Sequence, residues 1–266
     1  MKKLKRYIYL YWRFISQDLK RLLEYQLDFF IQLIATFLMQ FAGLVTIWGI
    51  FTNIQEIHGW GYWEIVLVYS MMYFSIGFAE IFFEGPWSIN NLYLQGKMDY
   101  MLVKPLPVVF QIFASKIGLH GIGNVLTASI ILVTAFLHVS DHIPLLHVLI
   151  CLLLFIIALP IKGAIILAAN CITFWTKAPG NAFGNFIHTI GEYTKYPITI
   201  YPKVIQFVVT LIVPYAFLSF FPASLLLEKG FGAKIMWFVP IVSICSIYLS
   251  IKLFRKGLSL YESVGN

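Results

Sequence analysis

Residues 145–175 read LLHVLICLLLFIIALPIKGAIILAANCITFW, and Lys162 is the single charged side chain in this run of 31 residues. A helix needs about 20 apolar residues to cross the roughly 30 Å hydrocarbon core of a bilayer. The run is longer than one crossing requires, and Pro160 marks a place where a helix would kink. It therefore predicts a membrane-spanning helix that tilts, kinks or extends into an interface.

The composition of the whole chain also indicates a membrane protein. Hydrophobic residues make up 60% of the 266 residues and charged residues 12%, against roughly 45–50% and 25% in an average soluble domain. With a mean hydropathy of +0.82, the chain has too few polar groups to cover a globule in water. This composition excludes a soluble enzyme, a disordered tail and a secreted disulfide scaffold.

Five further apolar runs are similar to the first. Together they predict an all-α integral membrane protein whose membrane domain, residues 29–253, has six transmembrane helices, at about residues 29–50, 65–83, 117–137, 145–175, 204–227 and 235–253. The longest connection, residues 84–116, has 33 residues, far fewer than the ~100–150 of a typical independent domain. The chain also lacks the GxxxxGKS/T motif, so it offers no loop of that kind for a nucleotide phosphate.

Basic residues are distributed unevenly between alternate connections. Fifteen Lys and Arg fall on one side of the predicted membrane and two on the other. The basic side comprises residues 1–28, 84–116, 176–203 and 254–266, and the other side comprises 51–64, 138–144 and 228–234. Because cytoplasmic loops carry the excess of Lys and Arg, both termini are predicted to be cytoplasmic, with residues 254–266 as a cytoplasmic tail.

Residues 1–28 are predicted to form an N-terminal amphipathic helix in the cytoplasmic interface. Apolar residues recur at steps of three or four from Leu4 to Leu22, and polar residues such as Arg6 and Lys20 lie on the opposite face. Such a helix lies in the membrane plane with its basic face toward anionic head groups. The alternative is a solvated basic tail, which would not need this apolar stripe.

Lys162 and Glu80 are our candidates for residues of a substrate path. A charge at the bilayer centre costs about 2.5–3.5 kcal/mol on insertion scales, so Lys162 should face protein or water. Its alternative role is a structural ion pair or a side chain that extends to the interface. Glu80 shares a helix face with Glu84, where an ion pair with an interfacial Lys or Arg is favoured over acid–base chemistry. By residue count the depths of Lys162 and Glu80 differ by ~10 Å, so the sequence does not predict that they pair.

No metal site is expected from the sequence. Four candidate ligands cluster around the loop between the third and fourth spans, but their spacing fits no standard motif. They are His138, Asp141, His142 and His147. The three cysteines lie in apolar runs and include no CxxC pair, so we expect buried thiols rather than disulfides or metal ligands.

The connection after the second span is longer than a passive link needs, since adjacent antiparallel helices are commonly joined by roughly 2–8 residues. Gly85 and Pro86 end the second span, and a short apolar-rich stretch leads to Gly96. Charged residues then precede Pro105 and Pro107. This pattern predicts a short helix at the membrane surface between rigid Gly and Pro corners.

Three stretches carry a resemblance to a known family. They are residues 96–112, GKMDYMLVKPLPVVFQI, residues 191–224, GEYTKYPITIYPKVIQFVVTLIVPYAFLSFFPAS, and residues 254–266, FRKGLSLYESVGN. Together they resemble the membrane-spanning permease subunits of bacterial type-2 ATP-binding-cassette (ABC) exporters, in the branch of about this size with six spans.

The resemblance implies a non-catalytic subunit in the bacterial cytoplasmic (inner) membrane. It implies that the chain binds no cofactor, that two copies of a separate cytoplasmic ATPase use ATP and Mg, and that a second permease, identical or different, completes the transporter. No nucleic-acid partner is implied. In this family the ATPase docks on the connection after the second span. The expected contact is therefore residues 88–105, with candidate residues Lys97, Asp99, Tyr100 and Lys104.

Two other classes of protein are weaker alternatives. An ion-coupled secondary transporter would use Lys162 and Glu80 as coupling residues, but the two halves of the sequence show no inverted repeat of three spans. A membrane-embedded enzyme would need a nucleophile with a base, or a set of metal ligands, at one depth, and the spans contain no such set. The exporter subunit is therefore the favoured interpretation.

We predict that the three connections poor in basic residues face outward. Cysteines introduced at Gln55 and Ser140 should react with an impermeant thiol reagent on whole cells, outer-membrane access permitting, and a cysteine at Gln95 should not, because the basic side stays in the cytoplasm. Labelling of Gln95 from outside would refute the orientation.

Overall fold

The computed structural model describes residues 9–14, 16, 20, 26–139 and 143–262. Within these ranges every regular element is a helix, apart from an isolated β-bridge between Ile57 and Trp60. Five helical segments of the described chain are long and apolar enough to cross a membrane. The prediction of an all-helical integral membrane protein is confirmed.

Within residues 26–139 and 143–262, the described α-helices comprise five long elements and eight short ones. In chain order they are α1 (Gln26–Phe51), α2 (Tyr62–Phe83), α3 (Ile89–Leu94), α4 (Met98–Val103), α5 (Val108–Phe113), α6 (Gly121–Val139), α7 (Leu145–Asn170), α8 (Thr173–Thr176), α9 (Ala182–Glu192), α10 (Lys203–Phe207), α11 (Phe220–Leu226), α12 (Gly230–Ile235) and α13 (Val239–Leu258). The long elements are α1, α2, α6, α7 and α13. A π-helical turn, Val208–Ile212, continues α10, and short 3₁₀ turns lie at Gly85–Ser88, Tyr193–Lys195, Ile198–Ile200, Tyr215–Leu218 and Met236–Phe238.

Local sequence determines where several of these helices begin and end. At the start of α2, Glu64 Oε2 accepts a hydrogen bond of 2.7 Å from the backbone N–H of Gly61, which caps the first turn. The last turn of α13 contains Arg255 and Lys256, whose positive charges complement the helix dipole. Helix α3 ends at Leu94, and Gly96 two residues later has a φ of 65°, a left-handed conformation that glycine adopts without strain.

The contact between α2 and α6 brings two backbones close together. A Cβ atom added to Gly121 would lie 2.5 Å from the carbonyl oxygen of Gly77, so only glycine fits at this position. Just before α6, the backbone N–H of Gly118 donates to the carbonyl oxygen of Glu80 at 2.9 Å. This bond holds residue 118 against α2. The helix α6 then starts at Gly121, four residues after the predicted start at residue 117.

The stretch predicted as the fifth span, residues 204–227, is not one helix. The segment Lys203–Ile212 is helical for ten residues, which corresponds to about 15 Å, or half of the hydrocarbon core. The helix stops before Pro214, which has no N–H to donate and disfavours helical geometry in the preceding residue. The chain then continues through a 3₁₀ turn into α11. The span predicted at residues 204–227 is therefore broken at Pro214, where a proline within a span makes a kinked or re-entrant helix the expected outcome.

Residues 176–203 are predicted to be a cytoplasmic connection. In the structure this segment reaches the depth of the middle of α2. At the start of α9, the Asn181 side chain donates to the carbonyl oxygen of Trp87 at 2.9 Å, which places this end beside the predicted cytoplasmic connection. Just after α9, Thr194 Oγ1 donates to Met72 Sδ at 3.3 Å, and Met72 lies halfway along α2. The prediction that this whole connection is cytoplasmic is therefore wrong.

Lys195 follows Thr194 and lies at the same level, because its Nζ is 4.8 Å from the centroid of the Tyr73 ring. Subtracting Lys195 from the 15 basic residues of the predicted cytoplasmic side leaves 14 against two. The direction of the charge asymmetry, and with it the predicted orientation, is unchanged. The sequence pattern missed this insertion because an 11-residue helix is too short to be recognised as a span.

A compact apolar cluster lies at the predicted cytoplasmic end of the long helices, and we call it the lower cluster. Its buried members come from the connection after α2, from the end of α7, from α8 and from α13. They are Ile89, Tyr93, Met98, Ile112, Leu167, Cys171, Phe174 and Phe254. The connection after α2 is therefore a folded surface of short helices, packed on the ends of two long helices.

The predicted N-terminal helix lies mostly outside the described residues. Residues 9–14 are helical, and Tyr11 OH donates to the carbonyl oxygen of Phe82 at 3.3 Å. Asp141 and His142 of the loop between α6 and α7, and the last four residues of the predicted tail, also lie outside the described residues.

Replacement of Gly121 by alanine should destabilise the protein. The added methyl group meets the backbone of α2, and overpacking of this kind costs about 1–3 kcal/mol. We expect a lower unfolding temperature for Gly121→Ala in detergent. Gly49→Ala in α1 is the matched control, because nothing lies within 4 Å of the added Cβ. Equal unfolding temperatures for the two variants would contradict the α2–α6 contact.

Candidate functional site

A cavity of about 250 Å³ lies in the half of the molecule nearer the predicted cytoplasmic side. Its walls come from α2, from the turn before α6, from α7 and from α9. The polar and aromatic residues that line it are Glu80, Glu84, Trp87, His120, Lys162, Asn185 and His188. Both substrate-path candidates from the sequence, Lys162 and Glu80, thus lie at one site.

Lys162 is almost completely buried, with 2% of its surface exposed. It lies on α7, two residues after Pro160, and the helix continues through this proline. Its Nζ is 5.7 Å from the centroid of the Tyr215 ring, on whose face the cation is stabilised. Among the described residues, no carboxylate lies within ion-pair distance of Lys162. A buried cation without an ion partner therefore faces the cavity.

Glu80, in contrast, is held by a chain of hydrogen bonds. Asn124 Nδ2 donates to Glu80 Oε2 at 2.6 Å, and Gln40 Nε2 donates to Asn124 Oδ1 at 2.9 Å. His120 Nε2 lies 3.8 Å from Glu80 Oε1. The chain links α1, α6 and α2 and fixes the carboxylate at the cavity wall.

Glu84 has a direct ion partner. Lys116 Nζ lies 3.0 Å from Glu84 Oε1, at the end of α2. This is the ion pair with an interfacial lysine that the sequence favoured for the end of the second span. The charge of Glu84 is therefore already compensated at the cavity mouth.

Helices α2 and α7 begin at the same level, opposite the predicted cytoplasmic side. In the first turn of α2, Glu64 pairs with Lys229. In the first turn of α7, His147 Nε2 lies 3.3 Å from Glu228 Oε1. Because Glu228 and Lys229 are neighbours in the chain, they tie both helix starts to one short loop.

The common start of these helices brings Lys162 and Glu80 to nearly the same depth. Glu80 is 18 residues after Tyr62, and Lys162 is 17 residues after Leu145. At about 1.5 Å per residue, the depths agree within about 2 Å. The expectation that they differ by ~10 Å is wrong, because α7 extends several residues beyond the level at which α2 ends.

Sequence reasoning missed the contribution of α9 to the cavity. Asn185 and His188 lie three residues apart, on one face of α9, and both line the cavity. The His188 ring is 6.0 Å from the Trp87 ring in an edge-to-face arrangement. The spacing of this polar pair could have indicated a helix face directed at a cavity. The prediction places residues 176–203 in the cytoplasm, however, so the pair is not considered as part of a site in the membrane.

The four candidate ATPase-contact residues lie on or beside α4. Lys97, Tyr100 and Lys104 are exposed, and Asp99 is partly buried. Burial first, and then the nearby carboxylate of Asp99, raises the pKa of Tyr261 to about 12. The segment therefore presents charged and aromatic side chains outward and contacts the tail that follows α13.

Helix α3 and the loop before α9 are joined by the side chain of Asn90. Its Nδ2 donates to the carbonyl oxygen of Ala178 at 2.8 Å, and its Oδ1 accepts from the backbone N–H of Gly180 at 2.8 Å. In the lower cluster, the Tyr93 ring lies 6.0 Å from the Phe174 ring. The connection after α2 is thus attached to α8, which directly follows α7, and to the loop before α9. Helices α7 and α9 form two of the cavity walls.

The histidines near the opposite side make other contacts. His138 stacks on Trp63 with ring centroids 3.7 Å apart, and His147 faces Glu228. Within the described residues no group of three or more His, Cys, Asp or Glu could hold a metal ion. Cys151 and Cys171 are buried free thiols, as expected, whereas the free thiol of Cys245 is exposed on the surface of α13, so the expectation of burial is wrong for this residue.

Comparison with known proteins places the chain in a family. A family model described as ABC-2 family transporter protein matches residues 37–265, which include the cavity and the connection after α2. Neither the curated proteins nor the solved structures gave a match. The resemblance to type-2 ABC permeases, carried by three short stretches, is confirmed. The chain therefore belongs to the ABC-2 transporter family, as a multi-pass membrane permease subunit.

Proposed function

We propose that this permease subunit works in an ATP-driven exporter, that the cavity at Lys162 and Glu80 is part of the substrate path, and that residues 88–105 bind a separate cytoplasmic ATPase. The observation that carries the proposal is Lys162, a buried cation that faces a cavity without an ion partner in the described chain. A charge in this position is costly for the fold, so a functional role is the default hypothesis.

The arrangement of the cavity walls supports a path for a substrate. Glu80 and Lys162 come from different long helices, and α9 supplies a third wall with His188. Because α9 forms one wall of the cavity, a displacement of this helix would change access to Lys162. The walls therefore combine two charged side chains from long helices with one short helix.

The lower cluster supports a mechanical link between the proposed ATPase contact and this cavity. Tyr93 and Met98 of the connection are packed with Cys171, nine residues after Lys162 on the chain. Asn90 binds the loop that leads into α9. A force applied to α3 and α4 is thus transmitted to α7 and α9 together, so docking and cavity shape are coupled.

The proposed assembly follows the family pattern. Two copies of the ATPase would bind and hydrolyse ATP with Mg, and this chain would do no chemistry of its own. A second permease subunit, identical or different, would complete the path across the bacterial inner membrane. The basic excess on one side supports a cytoplasmic location for the ATPase contact.

Lys162→Met should change transport without preventing insertion into the membrane. The substitution removes a charge whose insertion costs about 2.5–3.5 kcal/mol, so the yield of inserted protein should stay the same or rise. Transport, or substrate-stimulated ATP hydrolysis by the co-purified complex in liposomes, should fall severalfold or more. Lys234→Met, at an exposed lysine on the opposite side, is the matched control. Unchanged transport kinetics in Lys162→Met would assign Lys162 a structural role.

Charge reversal at the proposed contact should uncouple the two subunits. The double variant Asp99→Lys with Lys104→Glu should insert and fold, since both side chains are at least partly exposed. ATP hydrolysis should become independent of transport, or the ATPase should be lost during purification, because complementary charges fix the register of an interface.

Two control variants make the uncoupling test specific. Glu56→Lys with Lys234→Glu reverses the same two charges at exposed positions on the opposite side and should have no effect. Tyr261→Phe removes the hydroxyl near Asp99 and shows whether loss of the tail contact alone is sufficient. If the double variant still co-purifies with its ATPase and transports normally, the contact lies elsewhere.

An ion-coupled secondary transporter is the second candidate function. The observation in its favour is that Glu80 and Lys162 share one cavity at one depth, where they can act as coupling residues. The two functions differ in their energy source. Transport in vesicles that continues without the ATPase but collapses when the ion gradient is dissipated would favour the secondary transporter.

A further inference from the structure

Two opposite charges face the cavity from different helices without forming an ion pair. Lys162 Nζ contacts the Tyr215 ring, and the Glu80 carboxylate is bound by Asn124. Both side chains line the cavity, and the distance between their charged atoms exceeds the ion-pair limit. Charges buried apart in this way attract each other less strongly than a direct ion pair does, so their attraction offsets less of the cost of desolvation.

The other charges around the cavity are already paired. Glu84 is bound to Lys116 at the mouth. Glu192 and Lys195, whose charges act on Lys162 from the end of α9, form a direct ion pair with each other. Among the described residues at the cavity, Lys162 is thus the cation without an ionic partner, and Oε1 of Glu80 faces Nε2 of the His120 ring at 3.8 Å.

The volume limits what can occupy the space between these charges. About 250 Å³ lies below the roughly 300–1,000 Å³ of pockets that enclose a drug-sized ligand. The cavity can therefore hold a polar group of head-group size, and an attached chain would have to extend outside it.

We propose that this cavity binds a compact zwitterion, with a phosphate or carboxylate group directed to Lys162 and an ammonium group directed to Glu80. A simple anion would compensate the charge of Lys162 but would add a negative charge near Glu80. A simple cation would compensate the charge of Glu80 but would add a positive charge near Lys162. A ligand with both charges, separated by a few atoms, satisfies both. Trp87 adds an aromatic surface of the kind that binds alkylated ammonium groups.

This inference rests on the proposed substrate path and names the class of ligand for it. The same chemistry occurs in two sources, the head group of a zwitterionic lipid and a small soluble zwitterion. The shared feature is an ammonium group a few atoms from an anionic group. The test separates the two sources by adding or omitting the acyl chain.

Binding is measured by calorimetric titration of the full chain in nanodiscs of phosphatidylglycerol, a lipid without a zwitterionic head. The three probes are phosphocholine, inorganic phosphate and choline, so that the zwitterion is compared with each of its halves. We expect phosphocholine to bind at least tenfold more tightly than either half. Lysophosphatidylcholine is the fourth probe. Tighter binding of this probe than of phosphocholine indicates a lipid source, and equal binding indicates a soluble one.

Two variants assign the charges. Lys162→Met should weaken phosphocholine binding tenfold or more and Lys162→Arg should largely retain it, which separates a lost charge from a misfolded protein. Glu80→Gln should weaken binding to a similar degree, and it keeps an amide oxygen that can accept the bond from Asn124. Lys234→Met and Glu56→Gln are the matched controls at exposed positions and should bind as the unmodified protein does.

Three results would overturn the proposal. Phosphate that binds as tightly as phosphocholine would make the cavity an anion site. Choline that binds as tightly, with no effect of Lys162→Met, would make it a cation site. Absence of phosphocholine binding, or binding unchanged by Lys162→Met and Glu80→Gln, would exclude the zwitterion. None of these measurements requires the ATPase, whereas the charge-reversal test at Asp99 requires no ligand, so failure of one proposal is distinguishable from failure of the other.

Discussion

A positive charge buried among membrane helices is the constraint on which the proposed site depends. Lys162 sits on the longest apolar run of the chain, where burial without water or a counter-charge would be costly. The structure meets this constraint with a polar cavity rather than with a direct ion pair, and the ring of Tyr215 supports the ammonium group. The surrounding helices α2, α7 and α9 therefore line a polar cavity at the depth of Lys162.

Helix α7, which bears Lys162, also leads to the lower cluster. Nine residues after Lys162, Cys171 belongs to the lower cluster with Tyr93 and Met98 of the connection after α2. At about 1.5 Å per residue, roughly 14 Å of helical chain separates the buried cation from this cluster. Because packed clusters transmit displacement rather than absorb it, the cavity and the proposed docking segment are expected to move together. In this proposal, ATP-driven motion reaches the ligand through helix packing.

The sequence predicted much of the fold and less of the site. Apolar runs identified the long helices because a bilayer imposes a minimum length, and the GKMDYMLVKPL motif indicated the family. The missing N–H of Pro214 indicated a kinked or re-entrant helix there. The insertion of α9 was missed, since a helix shorter than a span gives no signal in a hydropathy window. The shared depth of Glu80 and Lys162 was also missed. The depth of a residue in the membrane depends on where its helix starts. Here the starts of α2 and α7 are set at one level by tertiary contacts with the loop that bears Glu228 and Lys229.

The most direct test of the central claim measures access to the cavity as a function of nucleotide. Ile166 lines the cavity one helical turn after Lys162, so Ile166→Cys, with the three native cysteines replaced, reports on this space. An impermeant thiol reagent is applied from the cytoplasmic side to inverted vesicles that contain the permease with its ATPase. We expect labelling without nucleotide and strong protection when a non-hydrolysable ATP analogue is bound. Labelling that is the same with and without the analogue would contradict a cavity on an ATP-driven path.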